Sequence, residues 1–459
     1  MRFVTSLVAV ALVSLTATAQ SRAPYTPFAD ARPVLEALRA ELLPADLGGK
    51  STAQLQAAWP RWISARDAEI RSRLAGGDED SVVNLLFFGT SFTRQPRITE
   101  RDMDTGLAQV QDVLQARTTD MASAVRQPGS NERLTFVRQV AQRNGVDVSA
   151  QDGAALRRYL QDQVTRFIAE REAIANRAVA AASKALSDPS AAAPEAGTLF
   201  SQRGLSSDTT IYVDFGLESA LDAIKSNGLL APGSVRRIGI VGPGLDFVDK
   251  REGYDFYAPQ TLQPFALTDS LRRLGLAGRE LRVTTFDLSP RINQHLAAAR
   301  SRAVSGSGYP LQLPHETTFE WNPLLVKYWE RLGDQVGRPV AAATAPAGVQ
   351  MRAIEVRADV VRSVTPEDLN IVLQRQTPLP ATERYDVIVA TNILVYYDVF
   401  EQSLAMTNVA AMLRPGGLLL TNSPVFELPS TPLRSVGFTD VLYEQRNAAR
   451  DRIFWYQRQ

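Results

Sequence analysis

The stretch VRRIGIVGPGLDF, residues 235–247, decides the fold, and three later stretches repeat its design. They are LRVTTFDLSP at 281–290, YDVIVATNILVYYD at 385–398 and MLRPGGLLLTNSP at 412–424. Each is a short, apolar, β-rich run that ends in Gly, Asp or Asn. Such runs are typical of parallel strands that present polar groups to a ligand at their carboxyl ends. Helical patterns lie between them, so the β-α-β-α order predicts a Rossmann-like, doubly wound α/β sheet over residues 216–459.

The composition limits the class of protein. A chain of 459 residues with 45% hydrophobic side chains has room for two or three domains. Its 50 basic and 49 acidic residues nearly cancel, so we predict no nucleic-acid partner. The absence of cysteine excludes disulfides, thiolate metal sites and a thiol nucleophile. His295 and His315 are too few for a histidine-built metal centre, so we predict no metal.

The first residues, MRFVTSLVAVALVSLTATAQS, have the three parts of an export signal. Arg2 supplies the positive charge, residues 3–15 are apolar, and Ala17-Thr18-Ala19 is an A-x-A cleavage site. We predict a signal peptide over residues 1–19 and a periplasmic or extracellular protein. An uncleaved anchor or a buried helix are the alternatives. No later run is apolar enough for a transmembrane helix, so we expect no other stable membrane insertion.

Residues 20–190 show helical periodicity nearly throughout, which predicts an all-α N-terminal domain. Helices are predicted over residues 31–43, 105–124, 131–143 and 154–186. Residues 80–88, DSVVNLLFF, fit either a strand or a buried helix. A Pro/Ala/Ser-rich run at 187–197 opens the boundary to a linker predicted over 191–215. Because this half has no motif, it is either a structural or lid-like bundle or a substrate-recognition domain.

Gly242-Pro243-Gly244 follows the first predicted strand of the sheet. Glycine has no Cβ, so a backbone of this kind can approach a ligand closely. The dinucleotide fingerprint of dehydrogenases requires a third glycine at position 247 and an acid about twenty residues later. Position 247 is phenylalanine, and the next strand-end acid, Asp287, lies far beyond that distance. The pattern therefore argues against a dehydrogenase.

Taken together, these motifs resemble the class I S-adenosylmethionine-dependent methyltransferases over about residues 235–425. In that family a glycine-rich loop after strand 1 meets the methionine part of the cofactor, and the acid that ends strand 2 holds the ribose hydroxyls. An acid after strand 3 reaches the adenine, and strand 4 ends at the methyl-transfer face. The matching residues are Gly242, Pro243 and Gly244, then Asp287 with Leu288, then Asp359, then Asn392, and lastly the Arg414-Pro415-Gly416-Gly417 turn before strand 5. The resemblance implies S-adenosyl-L-methionine as the cofactor.

The segment after strand 4 is similar in particular to the chemotaxis-receptor glutamate methyltransferases, which have an RN-x-L-I-Y-F segment there. This chain has Thr391 where those enzymes have arginine. The residues also allow other roles. Asp287 can cap a helix over residues 291–302, Asp359 can be a surface acid, and Asn392 can close a turn.

Two segments depart from the family pattern. Residues 245–260, rich in Asp and Tyr, either cover the methionine end of the cofactor or form a solvated insertion. Residues 305–349 contain His315 and Glu316, which we identify as candidate catalytic acid–base groups. Helix-like spacing of the neighbouring aromatic residues favours packing as the alternative.

We predict an S-adenosylmethionine-dependent methyltransferase that acts on an O-, carboxyl or N-nucleophile of a small molecule or protein. Methyl transfer from a sulfonium is a direct displacement, so the protein mainly has to align the reacting groups. A site without cysteine and poor in histidine suits that chemistry. The competing hypothesis is an exported, non-catalytic protein that uses a methyltransferase-like fold as a binding or scaffolding module.

Overall fold

The computed structural model describes residues 23–99, 102–103, 106–150, 152–187, 200–201, 203–245, 254–318, 320–444 and 450–459. The predicted signal peptide and residues 191–199 and 202 of the predicted linker lie outside the described residues. In the described part of the chain, no helix combines the length and the hydrophobicity needed to cross a membrane.

Within the described ranges, ten strands form two sheets. They are β1 (Val235–Val241), β2 (Ala277–Asp287), β3 (Tyr309–Glu316), β4 (Gly337–Pro339), β5 (Val349–Val356), β6 (Val364–Asp368), β7 (Tyr385–Val389), β8 (Leu413–Thr421), β9 (Leu433–Leu442) and β10 (Arg450–Arg458). The central sheet has the order β6-β2-β1-β7-β8-β10-β9, and β3, β4 and β5 form a small antiparallel sheet. Strands β6, β2, β1, β7 and β8 are parallel, and β10 runs antiparallel to its neighbours.

The helices named below cover both faces of this sheet or lie beside it. They are α1 (Phe28–Ala37), α2 (Thr52–Ser72), α3 (Leu74–Phe88), α4 (Gln111–Arg126), α5 (Glu132–Arg143), α6 (Ala154–Ser187), α7 (Ile211–Ser226), α8 (Gln263–Arg273), α9 (Pro290–Val304), α10 (Pro323–Arg331), α11 (Ala358–Arg362) and α12 (Val399–Met412). Helices α7, α8 and α9 share one hydrophobic core with the sheet, and α1, α2 and α12 share another. A sheet covered on both faces needs apolar strands, and all five residues of β7 are buried. The predicted doubly wound α/β fold is confirmed.

The predicted N-terminal domain over residues 20–190 does not form one unit. Helices α1 and α2 pack on the sheet, where the Trp62 and Phe400 rings lie 5.6 Å apart. Nearby, Arg66 Nε donates to the buried Glu401 carboxylate at 2.7 Å. Helices α3 to α6 have a separate core of their own. The region is helical, as predicted, but the sequence did not show this division, because the apolar stripe of α2 gave no indication of which surface it would cover.

Several helices begin or end at residues other than those predicted, and residues 80–88, predicted as either a strand or a helix, are helical. Residues 80–88 belong to helix α3, and the helix predicted over 31–43 ends at Ala37 before a short 3₁₀ turn. The described part of the helix predicted over 105–124 begins at Gln111. Helix α7 begins at Ile211, and its first turn is capped by the Thr210 side chain, which accepts the amide of Tyr212. The end of the predicted linker at residue 215 is therefore wrong.

Candidate active site

The central strands end together where the strand order reverses. Gly242 N donates to Phe286 O at 2.8 Å, which sets the end of β1 beside the end of β2. On the other side, Ala390 N donates to Leu420 O at 2.9 Å. The chain continues from β1 to β2 and β6 in one direction, and later to β7 and β8 in the other. In open parallel sheets, ligands bind at such a reversal, outside the carboxyl ends of the strands.

A cavity of about 570 Å³ lies at this edge, and we call it the strand-end cavity. Its volume is in the range of small-molecule sites. The strand ends and the start of α8 contribute Gly242, Pro243, Gly244, Gln263, Asp287, Thr391 and Asn392. Other walls come from residues 206–210, Arg203, Tyr212, Tyr396, Tyr443, Glu444, Arg450 and Asp451. The structure thus brings together five of the predicted cofactor residues: Gly242, Pro243, Gly244, Asp287 and Asn392.

Asp287 ends β2 and is 9% exposed at the cavity wall. One of its carboxyl oxygens accepts the amide of Ser289 at 2.7 Å, at the start of α9. Burial raises the pKa of Asp287 to about 7, although the Ser289 amide and the Arg291 charge act in the opposite direction. The carboxyl group therefore accepts the amide of the residue just before α9 and also borders the cavity, and its role toward a cofactor stays a prediction. Leu288 is buried in the hydrophobic core beneath it.

The glycine loop is closed by protein on one side. Gly242 and Gly244 have φ of 67° and 72°, which favours glycine. A Cβ on Gly244 would lie 2.7 Å from Asp208 O, and one on Gly242 would lie 2.2 Å from Ile393 Cδ1. Leu245 N also donates to Ser207 O at 2.7 Å. Packing against the backbone of the segment 206–210 therefore requires glycine at 244, whereas glycine at 242 is favoured mainly by its φ, a distinction that the motif did not reveal.

Asn392 follows β7 in the left-handed backbone region, with φ of 58°. Asparagine tolerates this conformation better than most residues. Asn422, at the end of β8, supports it from both sides. The Asn422 Oδ1 accepts the Asn392 amide at 2.8 Å, and the Asn422 Nδ2 donates to the Asn392 Oδ1 at 2.6 Å. The turn that the sequence suggested for Asn392 is present, and it faces the cavity.

Thr391 is linked to a buried polar pair behind the cavity wall. Gln263 Nε2 donates to Thr391 Oγ1 at 3.2 Å, while Gln263 Oε1 has no hydrogen-bond partner in the described part of the chain. The buried carboxyl group of Asp214 lies beside the Gln263 amide. Burial raises the pKa of Asp214 well above its usual range. Gln263, 6% exposed, thus presents an unpartnered acceptor at a cavity wall.

Asp359 does not lie at this edge, and its predicted position at the end of strand 3 is wrong. The third parallel strand is β6, which ends at Asp368 and pairs it with Asp287. Asp359 lies in α11, before β6 begins, and lines a groove at the amino edge of the sheet. The error arose because the apolar run before Asp359 is β5, which pairs with the insertion strand β3.

His315 and Glu316, the predicted acid–base groups, also lie outside the cavity wall. They end β3 of the small sheet. The His315 ring is buried and stacks 4.0 Å from Trp321, and burial lowers its pKa. Glu316 accepts the Tyr254 hydroxyl at 2.7 Å. The aromatic packing that the spacing offered as the alternative is what the structure shows.

The first insertion joins the sheet to the helical unit α3–α6. Its residues 246–253, which include three of its four acids, lie outside the described residues. Asp255 accepts the amides of Thr90 at 2.6 Å and of Ser91 at 2.9 Å. The described acid of this insertion therefore holds the chain after α3.

The residues that sequence reasoning missed come from segments without a motif. Residues 206–210 were assigned to the linker, and Gln263 belongs to none of the predicted motifs. Tyr443, Glu444 and Asp451 lie where β9 ends and β10 begins. The polar run SSDTT before α7 was the one available signal, since it marks a helix start.

The charges at the cavity wall are mainly acidic. Asp208, Asp287, Glu444 and Asp451 line it with Arg203 and Arg450. Arg203 Nε also lies 3.3 Å from Asp80 Oδ2, which offsets its charge. Such a wall favours a cationic ligand. Across the described ranges, no group of three or more acids and histidines is arranged to hold a metal ion.

No family model matches the chain, and no curated protein matches it either. Solved structures with some similarity include the N-methyltransferase NodS from Bradyrhizobium japonicum WM9, at 13% identity and a TM-score of 0.26. That match covers 54% of this chain and 96% of NodS. Magnesium protoporphyrin IX methyltransferase from Synechocystis PCC 6803, solved with bound SAM, matches at 10% identity and a TM-score of 0.26. It covers 54% of this chain and 81% of that enzyme.

A TehB-like SAM-dependent methyltransferase from Corynebacterium glutamicum ATCC 13032 also matches, at 10% identity and a TM-score of 0.25. That match covers 53% of this chain and 88% of that protein.

Proposed function

We propose that this chain is a class I S-adenosylmethionine-dependent methyltransferase whose cofactor binds in the strand-end cavity. One observation carries the proposal. The cavity lies at the reversal of strand order, and the glycine loop, Asp287 and Asn392 meet there from three adjacent strands. These are positions at which the family resemblance expects cofactor contacts.

The groups present suit the parts of this cofactor. A carboxylate can accept hydrogen bonds from both hydroxyls of a ribose, and Asp287 is held rigidly at a strand end. The carboxylates of Asp208 and Asp287, beside the glycine loop, suit a ligand that carries a sulfonium and an ammonium group. The cofactor would supply an electrophilic methyl group. The chain would supply alignment, with Asn392 and Thr391 at the end of the fourth parallel strand, where the family places methyl transfer.

The acceptor remains an O-, carboxyl or N-nucleophile on a small molecule or a protein. The similarity to the chemotaxis-receptor glutamate methyltransferases stays a prediction, and Thr391 in place of arginine argues against their substrate. Export through residues 1–19 also stays a prediction. The helical unit α3–α6 contacts helix α9 near this site, since the Arg291 guanidinium lies 4.1 Å from the Phe136 ring.

Calorimetric titration of the purified chain from residue 20 with S-adenosylmethionine and S-adenosylhomocysteine tests the proposal. We expect micromolar binding, and Asp287→Ala should weaken it by about 100-fold because two hydrogen-bond acceptors are lost. Asp359→Ala is the matched control, since that acid lies at the other edge of the sheet, and its affinity should be unchanged. Absence of binding at millimolar ligand by a folded protein would contradict the proposal and favour the non-catalytic binding module.

A further inference from the structure

The strand-end cavity extends past the end of β7 toward the antiparallel strands. Along the edge of the sheet, Asp287 belongs to β2, the glycine loop to β1, and Thr391 follows β7. Because β10 runs antiparallel to β8, its first residues lie at this same edge. Arg450 and Asp451 at the start of β10, and Tyr443 and Glu444 after β9, thus form the far wall.

If the ribose lies at Asp287 and methyl transfer occurs at the end of β7, the methyl acceptor must enter from this far wall. This step rests on the proposed function. We name the wall formed by Tyr212, Tyr443, Glu444 and Asp451 the acceptor wall. We propose that the acceptor wall binds an amine, so that the enzyme is an N-methyltransferase.

The chemistry of the acceptor wall favours a cation. Glu444 and Asp451 contribute two carboxylates, and Tyr443 Oη donates to Asp451 Oδ2 at 2.9 Å, which fixes that side chain. The rings of Tyr212 and Tyr443 lie 5.2 Å apart, and both residues border the cavity beside these carboxylates. Carboxylates with aromatic faces attract ammonium groups and repel carboxylate acceptors. Arg450, next to Asp451 at the start of β10, is exposed and lies beside the acceptor wall.

A second observation points to a hydrogen-bond donor at the transfer face itself. Gln263 Oε1 is buried, lines the cavity and has no hydrogen-bond partner among the described residues, while its Nε2 is bound to Thr391. A buried acceptor without a donor carries a cost that an incoming amine N–H would remove. An ionised carboxylate has no hydrogen to donate to it, whereas a hydroxyl group has one, so the carboxylates of the acceptor wall are what favour the amine over the alcohol.

The reaction balances without a further reactant. The ammonium group first gives a proton to water or to a carboxylate of the acceptor wall, a step favoured by repulsion from the sulfonium. The nitrogen lone pair then forms the C–N bond to the methyl carbon as the S–C bond breaks, and the bonding electron pair stays on sulfur. The methylated ammonium releases its additional proton to water.

The experiment uses matched sets of small molecules in which one carbon skeleton carries an amine, a hydroxyl or a carboxylate. With methyl-labelled S-adenosylmethionine, label should enter the amines of these sets. Label confined to hydroxyl or carboxylate members, or absent from all amines while the cofactor binds, overturns the inference. Absence of cofactor binding is a different result, because it refutes the proposed function itself.

A binding readout separates recognition from turnover. In the presence of S-adenosylhomocysteine, 2-phenylethylamine should bind at least about tenfold more tightly than 3-phenylpropionate. Glu444→Gln and Asp451→Asn should each weaken amine binding by about tenfold and leave the S-adenosylhomocysteine affinity unchanged. Asp440→Asn is the control, since Asp440 lies on β9 and pairs with Arg452 at 2.7 Å. Equal loss in the control, or none in the two variants, overturns the inference.

Discussion

Asp287 and Asp386 are buried acids at opposite edges of one sheet, and their surroundings differ. Asp386, near the start of β7, accepts the amides of Arg236 at 2.7 Å and Arg237 at 2.9 Å, and the Arg414 guanidinium also donates to it. Asp287, at the end of β2, accepts the Ser289 amide and borders a cavity. The hydrogen bonds of Asp386 connect β7 to β1 and β8. Asp287 has fewer such bonds, so burial disfavours its ionised form, and hydrogen bonds from a ligand would offset that cost. Burial of an acid therefore does not by itself identify a binding site.

The largest expected effect concerns the stability of the ligand-free protein. The folded pKa of Asp287 is about 7, above its unfolded value of about 3.9. Its stabilising contribution is therefore complete below the unfolded pKa and is lost as pH rises toward the folded pKa. We expect Asp287→Asn to raise the free energy of unfolding at pH 8 by up to about 4 kcal/mol, and by little at pH 4. Urea denaturation at both pH values measures this, and a variant less stable than the wild type at pH 8 contradicts it.

Asp386→Ala should have the opposite effect on stability. Removing the carboxylate leaves two backbone amides and a guanidinium without their acceptor, so we expect a loss of about 3 kcal/mol in the free energy of unfolding. The affinity of the folded variant for S-adenosylmethionine should be unchanged. Urea denaturation and calorimetry test the two statements, and a loss below about 1 kcal/mol would show that the contacts of Asp386 are replaceable.

A matched pair of glycines extends the comparison to the backbone. Gly233, just before β1 at the amino edge, has φ of 67° and open space where a Cβ would lie, whereas Gly244 at the carboxyl edge has φ of 72° and Asp208 O at 2.7 Å from that position. Alanine at either position costs about 1 kcal/mol for the backbone conformation. Gly244→Ala should cost a further 1–3 kcal/mol or so because the segment 206–210 must move. Equal losses in thermal or urea unfolding would show that this segment yields easily.

The smallest expected effect is the pH dependence of cofactor binding. If a cationic cofactor binds the ionised form of Asp287, its affinity should be constant above the folded pKa and fall below it. We expect about tenfold weaker binding at pH 6 than at pH 8, which is about 1.4 kcal/mol. Calorimetry on the wild type and on Asp386→Ala should give the same dependence, and Asp287→Asn should remove it. An affinity that rises toward pH 6 would argue against a contact with ionised Asp287.

The sequence by itself determined the doubly wound sheet and the residues at which its parallel strands end. Apolar β-rich runs that end in Gly242, Asp287 and Asn392 specify parallel strands locally, because burial on both faces requires such composition. The carboxyl ends of parallel strands lie at one edge, so five of the predicted cofactor residues met there. The predicted position of Asp359 was wrong because the apolar run before it fits a strand of an insertion as well as a strand of the central sheet.

Only the tertiary structure decided which surfaces meet. The apolar stripes of α1 and α2 fit a separate bundle as well as the face of the sheet, and no local pattern distinguishes these partners. His315 lies among tryptophans because the insertion folds into its own sheet, away from the strand ends. The acceptor wall joins residues 212 and 443 through long-range packing, with a ring separation of 5.2 Å. Contacts between residues so far apart in the chain depend on how the strands are ordered, which no local run of residues specifies.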